Sequence, residues 1–214
     1  MQRLASLLFI GGSVILMSFN APATVTKGTK STKIVTVKKA TTFQVDAKQS
    51  KLSWVGKKVT GQHSGTINVA DGKLEVENNA LKGGTFSLDT RSIAVTDITD
   101  ADGNAKLVGH LKSEDFFSTE KFPAATFVIT SVKAKGNGSY DVDGKLTIKG
   151  ITNPISFPAA VTVAGNNLTA KANIKVDRTK YNIKYGSKSF FASIGDKAIY
   201  DDFDLEVTLV ANAK

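Results

Sequence analysis

Two histidines are the only side chains in this sequence that ordinarily exchange a proton near neutral pH. His63 and His110 stand 47 positions apart, and neither belongs to a spacing such as His-x-x-x-His that would place two ligands on one metal ion. The sequence has no cysteine to serve as nucleophile or thiolate ligand. We therefore expect no catalytic residue, no metal site and no cofactor. Each histidine is predicted to make a structural hydrogen bond, with contact to the polar end of a ligand as the alternative.

Two arginines are the next candidates for chemistry, because a planar guanidinium pairs with carboxylate or phosphate in a way that lysine does not. Arg91 follows Asp89 by two positions, and Arg178 directly follows Asp177. A structural ion pair near the end of a strand is the favoured interpretation for both. Contact with an anionic head group of a ligand is the alternative.

The stretch from Asp100 to Asn104 has the oxygen-rich composition of a calcium loop. It lacks the glycine at the sixth position and the glutamate at the twelfth that such a loop requires. We interpret it as a turn in which an aspartate caps the following helix.

Alternation of apolar and polar residues dominates the chain from Phe43 onward and is typical of β-strands. The clearest strand covers 140–149, and the same pattern recurs in 155–163, 168–176 and 203–209. Shorter strands are predicted near 43–45, 52–59, 64–69, 73–77, 83–90 and 124–133. The expected turns are Asp71-Gly72, Lys82-Gly83-Gly84, Gly136-Asn137-Gly138, Asn153-Pro154 and Gly165-Asn166-Asn167.

The apolar faces of so many strands must meet one another, because the sequence offers little helix to cover a sheet. This predicts an all-β fold, either a sandwich or a single closed antiparallel barrel of about eight strands. Alternation directs the following side chains to the interior: Leu52, Trp54, Phe86, Leu88, Phe127, Ile129, Tyr140, Val142, Leu146, Ile148, Phe157 and Ile174. Small inward residues such as Gly144 either leave room for a guest molecule or accommodate a bulky neighbour, and the pattern favours neither.

One segment departs from the alternation. Between 100 and 122, Leu107, His110 and Leu111 follow a helical spacing, and three phenylalanines come after them. We predict a short helix with an aromatic stretch that forms a lid over one end of the barrel. The phenylalanines at 116, 117, 122, 190 and 191 are the candidates for closing that end.

The first 23 residues have the features of a cleaved signal peptide. One arginine precedes the apolar run 4–19, and Ala21-Pro22-Ala23 offers a small-x-small cleavage site. A retained N-terminal anchor is the alternative. The sequence thus predicts an exported protein, periplasmic or secreted.

Residues 24–42 are predicted to be a flexible basic linker, since they contain five lysines and no acidic or aromatic residue. The net charge of the chain is +9, and Arg3 with these lysines supplies six of those charges. The predicted domain, 43–214, keeps a charge of only +3, which argues against nucleic-acid binding. The linker is interpreted as a solvated tether, with transient contact to an anionic membrane surface as the alternative.

Several motifs together resemble the YceI-like family. They are GQHSG at 61–65, LDTRSI at 88–93, KLVGHLKSEDFFSTEKFPAATF at 106–127, GKLTIKGITNPISFP at 144–158 and the pair Asp177-Arg178. The resemblance covers almost all of 43–211. The chain departs from the family pattern at Tyr181-Asn182-Ile183 and in an unusually aromatic stretch at 185–202.

The resemblance implies a lipocalin-like antiparallel barrel, exported to the periplasm, that carries a long-chain amphiphile such as a polyisoprenoid, an isoprenoid quinone or a fatty-acid derivative. It implies no catalytic residue. The twelve inward side chains would then line the ligand's tail, and His63, Arg91, His110, Phe116, Phe117 and Arg178 would lie at the rim or lid. A ligand-free barrel that acts as a stress-response or protein-interaction module is the alternative function, and a homodimer is left open.

Overall fold

The computed structural model describes residues 40–214, and the predicted signal peptide and most of the predicted linker lie outside the described residues. The strands are β1 (Thr41–Val45), β2 (Lys51–Lys58), β3 (Gly61–Glu77), β4 (Ala80–Val95), β5 (Ala124–Gly136), β6 (Ser139–Ile148), β7 (Ile151–Ala164), β8 (Asn167–Asp177) and β9 (Ile199–Ala213). One α-helix, α1 (Ala101–Lys112), and two 3₁₀-helices, Arg178–Tyr181 and Gly195–Lys197, complete the described part. β1 begins two residues before the predicted start of the domain.

All neighbouring strands pair antiparallel, and pairing of β3 with β4 closes the sheet into a barrel. β1 and β2 occupy one position in the barrel wall, because both pair with β3 on one side and with β9 on the other. Between them the chain makes a turn in which Asp46 Oδ1 accepts from the backbone N–H groups of Lys48 and Gln49 at 2.9 and 3.2 Å. The prediction of an all-β barrel of about eight strands with a short helix is confirmed.

The two ends of the barrel differ. At the bottom end, β3–β4, β5–β6 and β7–β8 are joined by the two-residue turns 78–79, 137–138 and 165–166, all built from asparagine and glycine. At the top end lie the β2–β3 and β6–β7 turns together with two long connections, 96–123 and 178–198. The predicted helical segment forms part of the first of these. Asp100 caps α1 by accepting from the Gly103 N–H at 2.7 Å, as the sequence indicates.

Three predicted turns are wrong. Asp71-Gly72 lies inside β3, Lys82-Gly83-Gly84 inside β4, and Asn153-Pro154 inside β7. The chain reverses instead at Asn78-Asn79 and at Lys149-Gly150, where each backbone φ is positive. β3 bulges between Val69 and Asp71, so this turn-like sequence bends a continuous strand rather than ending it.

Asn153-Pro154 does not end β7, because both prolines of this strand lie where the missing N–H would point away from β6. Val161 donates its N–H to the carbonyl oxygen of Gly138 on the β6 side, so the N–H groups of the even-numbered residues of β7 point toward β8. Pro154 and Pro158 are even-numbered and have no N–H to donate. The β7–β8 ladder accordingly runs only from Ala159 to Ala164, while β7 pairs with β6 along 151–160.

The carboxylate of Asp204 on β9 joins three neighbouring strands. It accepts from Lys57 Nζ of β2 at 2.7 Å and from Lys175 Nζ of β8 at 3.0 Å. These hydrogen bonds lower the pKa of Asp204 below its ordinary value of 3.8. A carboxyl whose pKa is depressed on folding stabilises the protein above its unfolded pKa, and that stabilisation is lost as pH falls through the folded value.

We therefore expect Asp204→Asn to reduce the loss of unfolding free energy between about pH 5 and about pH 2. The effect is expected to be below about 1 kcal/mol, since solvent screens this half-exposed pair. Urea unfolding across that pH range measures it. Asp196→Asn, which removes an exposed carboxyl with no ion pair among the described residues, is the matched control. An unchanged pH dependence in Asp204→Asn contradicts the assignment.

Candidate functional site

The barrel interior contains two adjoining cavities. The upper cavity, toward the top end, encloses about 910 Å³, and the lower one about 880 Å³, each including space that opens toward solvent. The part of each cavity that the centre of a water-sized sphere can reach is about 120 Å³ and about 110 Å³, several times the roughly 10–15 Å³ that one water molecule needs. The interior is therefore not filled from end to end by its own side chains.

The lower cavity has a nearly continuous apolar lining, with Thr126 and Lys171 as the polar contributors. Of the side chains predicted to face inward, Phe86, Phe127, Ile129, Val142, Phe157 and Ile174 line it. Phe127 stands at the centre of an aromatic row, with ring centroids 6.3 Å from Phe86 and 5.4 Å from Phe157. Apolar side chains of β3, β7 and β9 complete the wall.

Four leucines line both cavities: Leu52, Leu88, Leu146 and Leu205. They come from β2, β4, β6 and β9 and form a collar between the two cavities, which we call the leucine waist. The first three were predicted to face inward. Leu205 belongs to the apolar face of 203–209, an alternation visible in the sequence, but it was not among the candidates.

The upper cavity is also almost wholly apolar at its surface, although four polar residues are among those around it. Trp54 and Ile148 line it as predicted, together with Thr90, Arg178, Tyr200 and Asp202. The lid segment contributes Leu111, Phe116 and Phe117. The cavity is partly open, and Tyr200 among its lining residues is 52% exposed at the top end. Ile183 and Ile199 also line it, and no periodicity could have identified them because they lie in or beside a long connection.

Inward glycines explain how the interior stays open despite its aromatic residues. A Cβ at Gly65 would lie 2.6 Å from the indole of Trp54, one at Gly72 would lie 2.7 Å from the ring of Phe86, and one at Gly144 would overlap the ring of Phe127. Each ring therefore lies flat against the wall, over a glycine of the neighbouring strand. Small inward residues thus have both of the roles that the sequence left open. Each glycine accommodates a bulky neighbour, and by doing so it leaves room in the lumen.

The predicted lid is built around Phe116. His110 packs edge-on against Phe116 and Tyr185, at centroid distances of 4.9 and 4.6 Å, and its Nε2 lies 3.1 Å from Asp115 Oδ2. His110 supports the lid from outside and lines neither cavity. Phe122 packs over Gly150 rather than into the lumen. Phe190 and Phe191 do not close the barrel, because they are 47% and 52% exposed.

Arg178 is buried at the edge of the upper cavity and holds the second long connection in place. Its guanidinium donates to the carbonyl oxygens of Ile183, Ile199 and Tyr200 at 2.9, 3.1 and 3.0 Å. Burial lowers the pKa of Arg178, although the charges of Asp201 and Asp177 oppose this. The favoured ion pair exists with Asp201 at 3.6 Å, but hydrogen bonds to backbone carbonyls are the main interaction.

Besides His110, three candidates among the described residues line neither cavity. His63 Nδ1 lies 2.9 Å from Asp97 Oδ2, and Arg91 Nε donates to Asp89 Oδ1 at 3.0 Å on the surface. Both therefore make the structural contacts that the sequence favoured over ligand contact. Tyr140 faces inward as predicted, but it lies below the lower cavity, where its hydroxyl accepts from the Leu81 N–H.

A closed antiparallel barrel with an unfilled apolar lumen and a partly covered mouth defines the class of small ligand-holding barrels. The chain belongs to the YceI-like domain family, whose model matches residues 43–211. No helix among residues 40–214 is long and apolar enough to cross a bilayer.

Known relatives agree with this membership. A UPF0312 protein of Vibrio parahaemolyticus is 43% identical over 91 residues, which are 39% of this chain and 48% of that protein. The chain thus matches about half the length of such curated relatives. The crystal structure of Burkholderia cenocepacia BcnA has a TM-score of 0.64 at 23% identity and covers 78% of this chain and 99% of BcnA. A polyisoprenoid binding domain from Saccharophagus degradans has a TM-score of 0.60 at 14% identity, over 80% of this chain and 98% of that domain. These likenesses establish the fold.

The pairing of Phe86 with Gly72 generates a stability prediction. Gly72→Ala is expected to lower the unfolding free energy by about 1–3 kcal/mol, because the new methyl group forces the ring off the wall. The double variant Gly72→Ala/Phe86→Leu should therefore have a higher unfolding free energy than Gly72→Ala alone. A urea-unfolding double-mutant cycle measures the coupling.

Gly56→Ala is the matched control, since its new Cβ would approach the Trp54 ring only to 4.0 Å. Strictly additive losses for Gly72→Ala and Phe86→Leu would show that the ring does not depend on the glycine.

Proposed function

We propose that this protein is an exported, non-catalytic carrier or store of a long-chain amphiphile: a polyisoprenoid, an isoprenoid quinone or a fatty-acid derivative. The observation that carries the proposal is the pair of adjoining apolar cavities inside a closed barrel. The printed name of the Saccharophagus degradans domain, polyisoprenoid binding, supports this ligand class. Export, to the periplasm or beyond the cell, is proposed from residues 1–23.

The shape of the lumen favours a chain over a compact solute. Along β9, lining residues extend from Tyr200 to Leu209, nine steps of about 3.4 Å along a tilted strand. Each buried methylene contributes about 0.8 kcal/mol, so a tail can be held tightly without any specific polar contact. Tight binding of this kind tolerates different tails, which fits a carrier better than an enzyme with one substrate.

Polar residues beside the mouth give the ligand a direction. Both cavities present almost only apolar surface, but the polar residues Thr90, Arg178, Tyr200 and Asp202 lie around the upper one, toward the top end. We infer that the tail passes the leucine waist into the lower cavity and that the head group stays near the mouth.

The first prediction concerns the lower cavity. Ala172 lines it from β8, and Ala172→Phe would place a ring where the tail lies. Loss of contact for even two methylenes lowers affinity by more than about tenfold. Organic extraction of the purified protein, followed by mass spectrometry, measures the amount of lipid per protein.

Asn173→Phe is the matched control, because the next side chain along β8 is exposed on the outer face. Wild type and Asn173→Phe should retain equal amounts of a long-chain lipid. Equal retention by folded Ala172→Phe, or empty extracts from the wild type, would contradict the proposal.

The second prediction concerns the direction of the ligand. Trp54, the only tryptophan of the chain, lines the upper cavity. A fatty acid brominated near its carboxylate should therefore quench Trp54 fluorescence more strongly than one brominated near its terminal methyl. Trp54→Phe provides the background. Stronger quenching by the methyl-end bromine would show that the ligand lies in the reverse direction.

A further inference from the structure

The exposed large apolar side chains of the described residues gather at one end of the barrel. Val128, on the outer wall, is the exception. The others all lie at the top end, with exposures between 37% and 52%: Val59, Ile151, Tyr185, Phe190, Phe191 and Tyr200. Among residues 40–214, the bottom end with its asparagine and glycine turns exposes none. Exposed apolar side chains clustered in this way are typical of a surface that contacts a membrane or another protein.

The second long connection, 178–198, which carries Tyr185, Phe190 and Phe191, is basic. Between 180 and 197 it has four exposed lysines, Lys180, Lys184, Lys188 and Lys197, against one acidic residue, Asp196, while Asp201 and Asp202 follow at the start of β9. Lys184 Nζ lies 4.7 Å above the ring of Phe190, so charge and aromatic surface are adjacent. Aromatic side chains interspersed with lysine are suited to the head-group layer of an anionic bilayer.

The patch borders the mouth of the upper cavity. Tyr200 belongs to both, and the ring of Tyr185 packs at a tilt against Phe116 of the lid, with the ring centroids 5.6 Å apart. The segment is also anchored, because Arg178 binds the carbonyls of Ile183, Ile199 and Tyr200. Both ends of the segment that carries the aromatic side chains are thus held beside the opening.

We propose that the top end of the barrel docks on an anionic bilayer, with Phe190 and Phe191 in the interface, so that an amphiphile passes directly between the bilayer and the lumen. The proposal rests on the carrier function for its purpose, but docking is measurable by itself. It assigns membrane contact to the barrel rim, apart from any contact made by the lysines of residues 24–42.

The first test is sedimentation of the purified protein with vesicles of phosphatidylcholine and phosphatidylglycerol. Phe190→Ser/Phe191→Ser should lower the vesicle affinity by about tenfold or more, since two interfacial anchors are removed. Val128→Ser, which removes an equally exposed apolar side chain from the wall, should bind like the wild type. Equal binding by the double serine variant and the wild type would overturn the proposal.

The second test locates the contact. The chain has no cysteine, so a single one labels cleanly. With an environment-sensitive fluorophore, Ala192→Cys should show a blue shift and brighter emission on adding the vesicles. The control Thr130→Cys, exposed on the outer wall, should show neither. Vesicle binding without a spectral change at position 192 would mean that another part of the chain makes the contact, and would overturn the proposal.

A second copy of this chain could also cover the apolar patch. Sedimentation velocity without lipid tests for such a dimer. A dimer that the double serine variant abolishes, with vesicle binding unchanged, would overturn membrane docking in favour of self-association. Lipid extraction from the same variants keeps the two claims apart. If the protein retains lipid but does not bind vesicles, docking is refuted and the carrier function stands. If it binds vesicles but never contains lipid, the carrier function is refuted and docking stands.

Discussion

A closed antiparallel sheet sends every second side chain into an interior that nothing else covers, so the size of those side chains decides whether the interior is core or cavity. In this barrel the decision depends on aromatic rings that lie flat over inward glycines. Trp54 over Gly65, Phe86 over Gly72 and Phe127 over Gly144 place large apolar surface on the wall with little protrusion toward the axis. The lumen keeps its apolar lining, and space for a guest remains.

The same constraint explains what the sequence could predict. Strict alternation in 140–149 and 168–176 identified which side chains face inward, because strand geometry alone determines this. Asp71-Gly72 misled the prediction, since a glycine that receives a ring and a glycine that makes a turn have the same local signature. The partner that distinguishes them, Phe86, lies on another strand.

Contacts between distant segments were also beyond prediction. Arg178 stands beside Asp177 in sequence, yet it binds carbonyls of Ile183, Ile199 and Tyr200 around the connection that it closes. His63 meets Asp97 across the β3–β4 region, 34 positions away. Such partners depend on how connections fold back over the barrel, which periodicity does not encode. The aromatic stretch 185–202 stands out in the sequence, but no local pattern indicates that its aromatic side chains are exposed.

A lipid tail can span the barrel only if the space above and below the leucine waist is continuous. Diffraction from crystals of the protein as purified, without added ligand, tests this most directly. We expect elongated density that passes between Leu52, Leu88, Leu146 and Leu205, with its polar end toward Tyr200. Side chains that meet across the axis at the waist, with no density and no space between them, would contradict the central claim.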